Sequence, residues 1–154
     1  MVLKGRCHCG SVRVLFETRK TLTMLGVRAC QCGFCRRHGA MNTSDSEGAA
    51  TIDADPQDIL RYRFGLRTAD FLVCGRCGIY IAAVIGEAAN ARCTLNVAGL
   101  DIEEFRGLEE ASVDYSAETR EDRIARRFRK WTPTEFVNAE FNNWCFGPQE
   151  QASG

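Results

Sequence analysis

The chain has 154 residues, of which 45% are hydrophobic and 26% charged, a composition typical of one globular domain and unlike disordered or collagen-like chains. Twenty basic residues balance twenty acidic ones, so the net charge of zero predicts binding neither to nucleic acid nor to an anionic membrane. The longest apolar stretches, such as 79–85, are far shorter than the ~20 residues of a transmembrane helix, and the N-terminus lacks the apolar region of a signal peptide, so we expect a cytoplasmic protein.

The first hundred residues predict short strands separated by turns, and hence a mainly β fold. In 11–17 the apolar side chains of Val12, Val14 and Phe16 share one face and mostly polar ones lie on the other, a pattern typical of a half-buried strand. Further strands are predicted at 24–29, 50–53, 60–64, 71–73, 79–85 and 92–97. A helical turn is expected at 36–39 and a polar surface loop at 42–48.

Beyond Gly99 the pattern becomes helical. A short helix is predicted at 101–105, with Asp101 as its N-cap. An amphipathic helix is predicted at 119–131, because Ile124, Phe128 and Trp131 recur at helical spacing and should be buried together. We expect the arginines around this stripe to be solvated: Arg120, Arg123, Arg126, Arg127 and Arg129.

The C-terminal part is expected to complete the same domain. Pro133 should end the amphipathic helix, and the aromatic-rich segment 135–144 should pack either on the domain or on a partner. We expect one domain over 1–148, with a helical extension at 117–148, and a frayed tail at 149–154.

Nine cysteines are many for a protein without an export signal, and they are not scattered. Seven fall in three tight groups: Cys7 and Cys9; Cys30, Cys32 and Cys35; Cys74 and Cys77. A disulfide framework would have wider spacing, an even count and an oxidising compartment. Thiols two or three residues apart in a reducing compartment are better interpreted as metal ligands.

The two outer groups predict a structural zinc site. Together they supply four thiolates, the number that a closed tetrahedral zinc site takes. Each is followed by a glycine, Gly10 or Gly78, which can adopt the backbone conformation that turns amide groups toward the sulfurs. A site built from Cys7, Cys9, Cys74 and Cys77 would tie the N-terminus to the middle of the chain. Cys7 and Cys9 could both bind one metal ion from a strand, because residues i and i+2 of a strand lie on the same face.

The middle group supplies three cysteines, whereas the two outer groups together supply four. Cys30, Cys32 and Cys35 supply three thiolates, and three protein ligands with one open position are typical of a catalytic zinc. The alternative is a closed structural site completed by a fourth ligand: His38, Cys93 or Cys145. An open site would bind a thiol substrate as its thiolate. The adjacent Arg36 and Arg37 either receive carboxylates of that substrate or balance the anionic metal cluster.

These motifs resemble those of the glutathione-dependent formaldehyde-activating family, which also includes centromere protein V. Three blocks carry the resemblance: Cys7-x-Cys9-Gly10-x-Val12, then Cys30-x-Cys32-x-x-Cys35-Arg36-Arg37 with Gly39 and Ala40, then Cys74-x-x-Cys77-Gly78. They lie within residues 5–100. The second block departs from the family at Gln31 and Gly33, where histidine and serine are usual, which leaves the aldehyde open.

The resemblance implies several small, coiled antiparallel sheets around two zinc sites, one structural and one catalytic. It also implies addition of glutathione to formaldehyde, or the reverse reaction, a carbon–sulfur lyase step. Two hypotheses follow: a zinc lyase that acts on an adduct of glutathione, or a similar thiol, with an aldehyde; or a non-catalytic zinc module that binds a protein partner through the aromatic C-terminal segment.

Overall fold

A computed structural model describes residues 1–147, so the predicted tail at 149–154 lies outside the described residues. The fold is mainly β, as predicted, with three short α-helices: α1 (Leu22–Leu25), α2 (Gly33–His38) and α3 (Arg120–Lys130). The strands are β1 (Val2–Arg6), β2 (Arg13–Glu17), β3 (Val27–Cys30), β4 (Asn42–Thr43), β5 (Ala49–Asp53), β6 (Ile59–Tyr62), β7 (Asp70–Cys74), β8 (Tyr80–Glu87), β9 (Ala91–Asn96), β10 (Glu110–Val113), β11 (Thr132–Phe136) and β12 (Cys145–Phe146). No helix among residues 1–147 is long and apolar enough to span a membrane.

The strands are joined into one mixed sheet, whereas several small antiparallel sheets were expected. Its main path runs β1-β2-β5-β11-β9-β4-β3-β10, and β8 joins β9 and carries β7, β6 and β12. Two pairings are parallel, β5 with β11 and β3 with β10, and the others are antiparallel. The two late strands β10 and β11 thus return to pair with early ones, which links the C-terminal part to the cysteine-rich half.

The alternation predicted for the first strand is present in β2. Val12, Val14 and Phe16 are buried, whereas Arg13 and Glu17 on the same stretch are exposed. Because side chains alternate between the two faces of a strand, this pattern places one face on the core and the other in water. The apolar residues here belong to the larger of two hydrophobic clusters.

Three local predictions differ from the structure. The predicted surface loop at 42–48 begins with β4, and Asn42, Thr43 and Asp45 are buried there. The predicted strand at 24–29 begins only at Val27, because the Thr21 hydroxyl accepts a hydrogen bond from the amide of Met24 and starts α1. Asp101 is not a helix N-cap: its φ of 50° is left-handed, and the short 3-10 helix is Glu103–Phe105, preceded by Ile102.

The aromatic C-terminal segment packs on this chain. Phe141 and Phe146 are buried, and Phe136 and Trp144 pack against the same core. The ring of Phe136 stacks on that of Phe146, with centroids 5.0 Å apart. The aromatic side chains of the described part of this segment therefore pack on the domain itself, one of the two placements predicted for them.

The amphipathic helix forms where predicted, but its buried face differs from the prediction. Trp131, its C-cap, is buried, whereas Phe128 is 39% exposed. Arg127, which was expected to be solvated, is only 8% exposed, and Arg123 and Arg126 are half-buried. The prediction was wrong because an arginine side chain can be buried where hydrogen-bond acceptors lie within its reach. Here Thr68 and Glu118 supply them.

Candidate metal centres and the adjoining cavity

The outer cysteines lie in two facing hairpin turns. Cys7 and Cys9 belong to the turn between β1 and β2, not to a strand as predicted, and this turn closes with a hydrogen bond from the Gly10 amide to the Cys7 carbonyl. Cys74 ends β7, and Cys77 lies in the turn before β8. Both following glycines have a φ of 80°, a left-handed conformation that favours glycine.

The four sulfurs of these turns form one cluster, all within 4.8 Å of one another. The Cys9 sulfur lies 3.7 Å from that of Cys7 and 3.7 Å from that of Cys74. Tetrahedral zinc with bonds of about 2.3 Å places its sulfurs about 3.8 Å apart, whereas a disulfide bond is about 2.05 Å long. The donor set and its spacing therefore fit a zinc ion, and the cluster could hold a metal.

Ser11 is a member of this centre that the sequence analysis missed. Its hydroxyl oxygen lies 3.0 Å from the Cys9 sulfur and 3.1 Å from the Cys74 sulfur, within hydrogen-bond distance of both. Burial raises the pKa of Cys74, but hydrogen bonds from Ser11 and from the amides of Cys77 and Arg76 outweigh it and bring the pKa to about 6. The surroundings thus favour the thiolate form that metal binding requires.

The middle cysteines meet where a strand passes into a helix. Cys30 ends β3, Cys32 is the N-cap of α2, and Cys35 lies inside that helix. The Cys35 amide donates a hydrogen bond of 3.3 Å to the Cys32 sulfur. The three sulfurs lie within 4.8 Å of one another. The structure thus brings together the three predicted ligands, and this cluster too could hold a metal.

No fourth histidine, cysteine, aspartate or glutamate joins the middle cluster in the described part of the chain. His38 is exposed and lies against the ring of Phe34, with centroids 4.4 Å apart. Cys93 is buried in β9, where burial raises its pKa to about 12, and Cys145 is exposed in β12. The three side chains considered as closing ligands therefore lie elsewhere, and the arrangement supports an open position.

The electrostatics of the middle cluster favour a bound cation. Hydrogen bonds from Cys30 and then from Cys35 hold the pKa of Cys32 far below its usual value. Hydrogen bonds with Cys30 and with Cys32, and then burial, raise the pKa of Cys35. Three thiols this close cannot all ionise without a positive partner, and a divalent metal ion supplies one.

Arg36 and Arg37 are exposed on α2, directly after the last ligand. The Nε of Arg36 donates to the Gln31 carbonyl, and Nη1 of Arg37 donates to the Gly33 carbonyl. These bonds hold both side chains along the outer side of the cysteine loop and use only part of the donors of each guanidinium.

A cavity of about 340 Å³ adjoins the middle cluster. Cys30, Cys32 and Cys35 form one part of its wall, and Arg123, Arg126 and Arg127 of α3 form another. Phe71, Tyr80 and Trp131 contribute aromatic surface. The cavity has the size of a small-molecule site, and its wall combines thiols, guanidinium groups and aromatic rings.

Four buried side-chain nitrogen or oxygen atoms of the described chain have no hydrogen-bond partner, and all four belong to residues that line this cavity. They are Asn42 Oδ1, the Tyr80 hydroxyl, Arg123 Nε and Arg127 Nε. Buried polar groups without partners are rare in proteins, and they often mark the place of a ligand or water. Neither Tyr80 nor Arg127 carries a sequence motif, so the sequence analysis could not find them.

Tyr80 interacts electrostatically with the cysteines and with Arg127. Burial, reinforced by the thiols of Cys35, Cys32 and Cys30, raises the pKa of Tyr80 well above its usual value, so the hydroxyl keeps its proton. Burial, followed by the charges of Arg126 and Arg123, lowers the pKa of Arg127 to about 10, so this side chain stays charged at neutral pH.

Comparisons with known proteins agree with these features. Residues 2–114 match the family model described as glutathione-dependent formaldehyde-activating enzyme. The fold is similar to the crystal structure of a Rhodobacter sphaeroides protein from a structural genomics programme, with a TM-score of 0.51 and 30% sequence identity, covering 71% of this chain and 99% of that one. No curated protein matches the chain. Because the family match spans both cysteine clusters and most of the chain, this protein belongs to the glutathione-dependent formaldehyde-activating enzyme family.

Proposed function

We propose that this protein is a zinc-dependent carbon–sulfur lyase. It forms or breaks the adduct of glutathione, or a similar thiol, with an aldehyde, as in S-hydroxymethylglutathione. One observation carries the proposal: three cysteine sulfurs without a fourth protein ligand among the described residues face a cavity of substrate size. The family match supports the same reaction class.

The two cysteine clusters take different roles in this proposal. Cys7, Cys9, Cys74 and Cys77 would hold a structural zinc, since four thiolates leave no position for a substrate. Cys30, Cys32 and Cys35 would hold the catalytic one. When bound there, zinc supplies a fourth position for the substrate sulfur and favours its thiolate form.

In the forward reaction, the thiol sulfur forms a bond to the carbonyl carbon, and the thiol proton ends on the former carbonyl oxygen. The reverse reaction breaks the same carbon–sulfur bond and returns the proton to sulfur. No oxidant or reductant is needed. The chain contributes an aromatic, partly enclosed cavity that keeps the reacting atoms together, which lowers the entropic cost of joining two molecules.

Arg36 and Arg37 are proposed to bind carboxylates of the thiol at the outer side of the cysteine loop. Both side chains are exposed and retain free guanidinium donors. A charge-assisted bond at this place would orient a long thiol such as glutathione while its sulfur reaches the cluster.

The test is the rate of S-hydroxymethylglutathione formation, followed by exchange NMR in formaldehyde and glutathione. We expect the wild type to accelerate the exchange, Cys32→Ser to abolish the acceleration, and Cys145→Ser to keep it, because Cys145 lies outside both clusters. Zinc content measured in the same samples should be about one ion lower only in Cys32→Ser. No acceleration by the wild type with any aldehyde would contradict the lyase and leave a non-catalytic zinc module.

A further inference from the structure

The part of the cavity wall that α3 forms carries a buried charge without a counter-charge. Arg127 is 8% exposed, and no ion pair among residues 1–147 includes it. Its Nη1 donates to the Thr68 hydroxyl at 2.6 Å, and its guanidinium carbon lies 4.9 Å from the centroid of the Trp131 ring. A hydroxyl and a ring face stabilise a buried cation far less than a carboxylate does, so an anion bound here would offset a large desolvation cost.

The side-chain charges around the cavity favour a negatively charged ligand. Four guanidinium groups line it: Arg28, Arg123, Arg126 and Arg127. Glu118 pairs with Arg126, from which it accepts two hydrogen bonds, and lies 3.6 Å from Arg123 Nε. Asp114, the acidic side chain that lines the cavity, is exposed and forms no ion pair among residues 1–147. The arginines thus outnumber the carboxylates, and the buried Arg127 has no carboxylate partner among the described residues.

Three of the four unpartnered groups at the cavity have the character that a carboxylate requires; the fourth, Asn42 Oδ1, is an acceptor and suits a donor group of the ligand, such as a hydroxyl. Arg127 Nε, Arg123 Nε and the Tyr80 hydroxyl are donors without an acceptor. The Tyr80 side chain is 1% exposed, and a phenol hydroxyl donates a hydrogen bond at neutral pH. A carboxylate accepts about four hydrogen bonds and carries one negative charge, whereas a neutral hydroxyl would leave both the charge and most donors unpaired.

We infer that Arg127, Arg123 and Tyr80 form a carboxylate-binding subsite, and that the preferred substrate is a thiol–aldehyde adduct with a carboxylate near its sulfur. The inference rests on the proposed function for the position of that sulfur. Formaldehyde has no substituent that would reach the arginines, so the carboxylate belongs either to a short thiol or to an aldehyde such as an oxo acid. Both arginines lie on α3, beyond the residues 2–114 of the family match.

The first test is binding, measured by calorimetry on the zinc-loaded protein with two thiols of similar size. 3-Mercaptopropionate carries a carboxylate and 2-mercaptoethanol carries a hydroxyl. We expect the wild type to bind the first about ten- to a hundredfold more tightly, the range expected for charge-assisted hydrogen bonds. Arg127→Met should remove this preference without changing the affinity for 2-mercaptoethanol. Arg129→Met, on the exposed side of the same helix, should keep it.

A milder variant tests the same subsite in case Arg127→Met fails to fold. Tyr80→Phe removes only a hydroxyl that has no partner in the described chain, so the fold should be kept. We expect it to weaken 3-mercaptopropionate binding about tenfold and to leave 2-mercaptoethanol unaffected. Equal affinity of the wild type for the two thiols would overturn the carboxylate subsite and leave the zinc lyase intact.

Propionate separates this inference from the proposed function because it has no sulfur. Its binding is followed by the fluorescence of Trp131, which lines the cavity, in a Trp144→Phe background. If neither thiol binds but propionate binds and depends on Arg127, the subsite stands and the proposed lyase fails. If neither propionate nor 3-mercaptopropionate binds, the subsite is overturned.

The source of the carboxylate follows from adduct formation with crossed pairs. One pair is 3-mercaptopropionate with formaldehyde, and the other is 2-mercaptoethanol with glyoxylate. The pair whose rate falls about tenfold or more in Arg127→Met identifies the partner that brings the carboxylate. No dependence on Arg127 in either pair would contradict the inference for the reacting complex.

Discussion

The hydroxyl oxygen of Ser11 lies 3.1 Å from the sulfur of Cys74, although 63 positions separate the two residues in the chain. The same hydroxyl lies 3.0 Å from the sulfur of Cys9. One side chain therefore bridges the two hairpin turns that carry the four-cysteine cluster. A hydrogen bond to a ligand sulfur orients it and stabilises its thiolate form, which is the usual role of groups just outside a metal's ligand sphere.

We therefore expect Ser11→Ala to lower the zinc affinity of the four-cysteine cluster about tenfold or more. The affinity is measured by competition with a chromogenic chelator. Ser112→Ala, at an exposed position of β10, is the matched control and should leave the affinity unchanged. An unchanged affinity in Ser11→Ala would show that the contact does not act on the metal.

Cys74→Ser should remove most of the folding stability. Cys74 is buried at the end of β7 and belongs to the cluster that joins the two hairpins, so loss of the metal would release both. The free energy of binding a structural zinc contributes directly to folding. The melting temperature should fall far more than in Cys145→Ser, which changes an exposed thiol outside both clusters. Equal melting temperatures would refute the assignment of Cys74 to a structural metal.

Helix α3 allows a paired test of which aromatic side chain holds it to the sheet. Trp131→Ala should destabilise the protein by about 3–5 kcal/mol, because its ring is 5% exposed and packs in the cluster below the cavity. Phe128→Ala should cost about 1 kcal/mol or less, since that ring is 39% exposed. Urea unfolding gives both values. A loss for Phe128→Ala as large as that for Trp131→Ala would restore the face predicted from sequence, in which both rings are buried.

Glu118 should make part of the stability depend on pH. The Arg126 guanidinium, with two hydrogen bonds of 2.8 and 2.9 Å, holds the pKa of Glu118 below its usual 4.5. A carboxyl whose folded pKa is depressed stabilises the fold above its unfolded pKa, and this contribution is lost as the pH falls below it toward the folded pKa.

The difference in unfolding free energy between wild type and Glu118→Gln should therefore be largest near pH 7 and shrink below about pH 4.5. Glu121→Gln, at an exposed position of α3, should show little difference at either pH. A difference for Glu118→Gln that stays constant with pH would indicate that the side chain acts through packing and not through its charge.

The middle cysteine cluster could be predicted because its members are close in sequence, and the outer one because two local pairs together supply the four thiolates of a closed zinc site. Cys30, Cys32 and Cys35 span six residues, so no fold brings them far apart, and each outer pair is equally local. The alternation in β2 is also local and was predicted correctly. In contrast, β10 and β11 exist only through pairing with β3 and β5, which lie far away in the chain, and neither was predicted.

The helical spacing of apolar residues predicted the position of α3 but not which side of the helix faces the rest of the domain. Ile124, Phe128 and Trp131 share one side of the helix, and an apolar side usually faces the core. The arginine side nevertheless turns toward a polar cavity, where Thr68 and Tyr80 come from separate strands and loops. No pattern within the helix contains that information, because it depends on what the distant chain places opposite it.

The parallel pairing of β3 with β10 places the cysteine loop beside the segment that follows β10. Its register pairs Val113 with Cys30, and the Gln31 amide donates to the Val113 carbonyl at 2.9 Å. Whatever sequence comes after Val113 therefore emerges beside the three sulfurs. Grafting a different segment at this point would exchange the side chains that cover the cavity and leave the ligand loop untouched, which makes this junction a natural place to engineer new substrate selectivity.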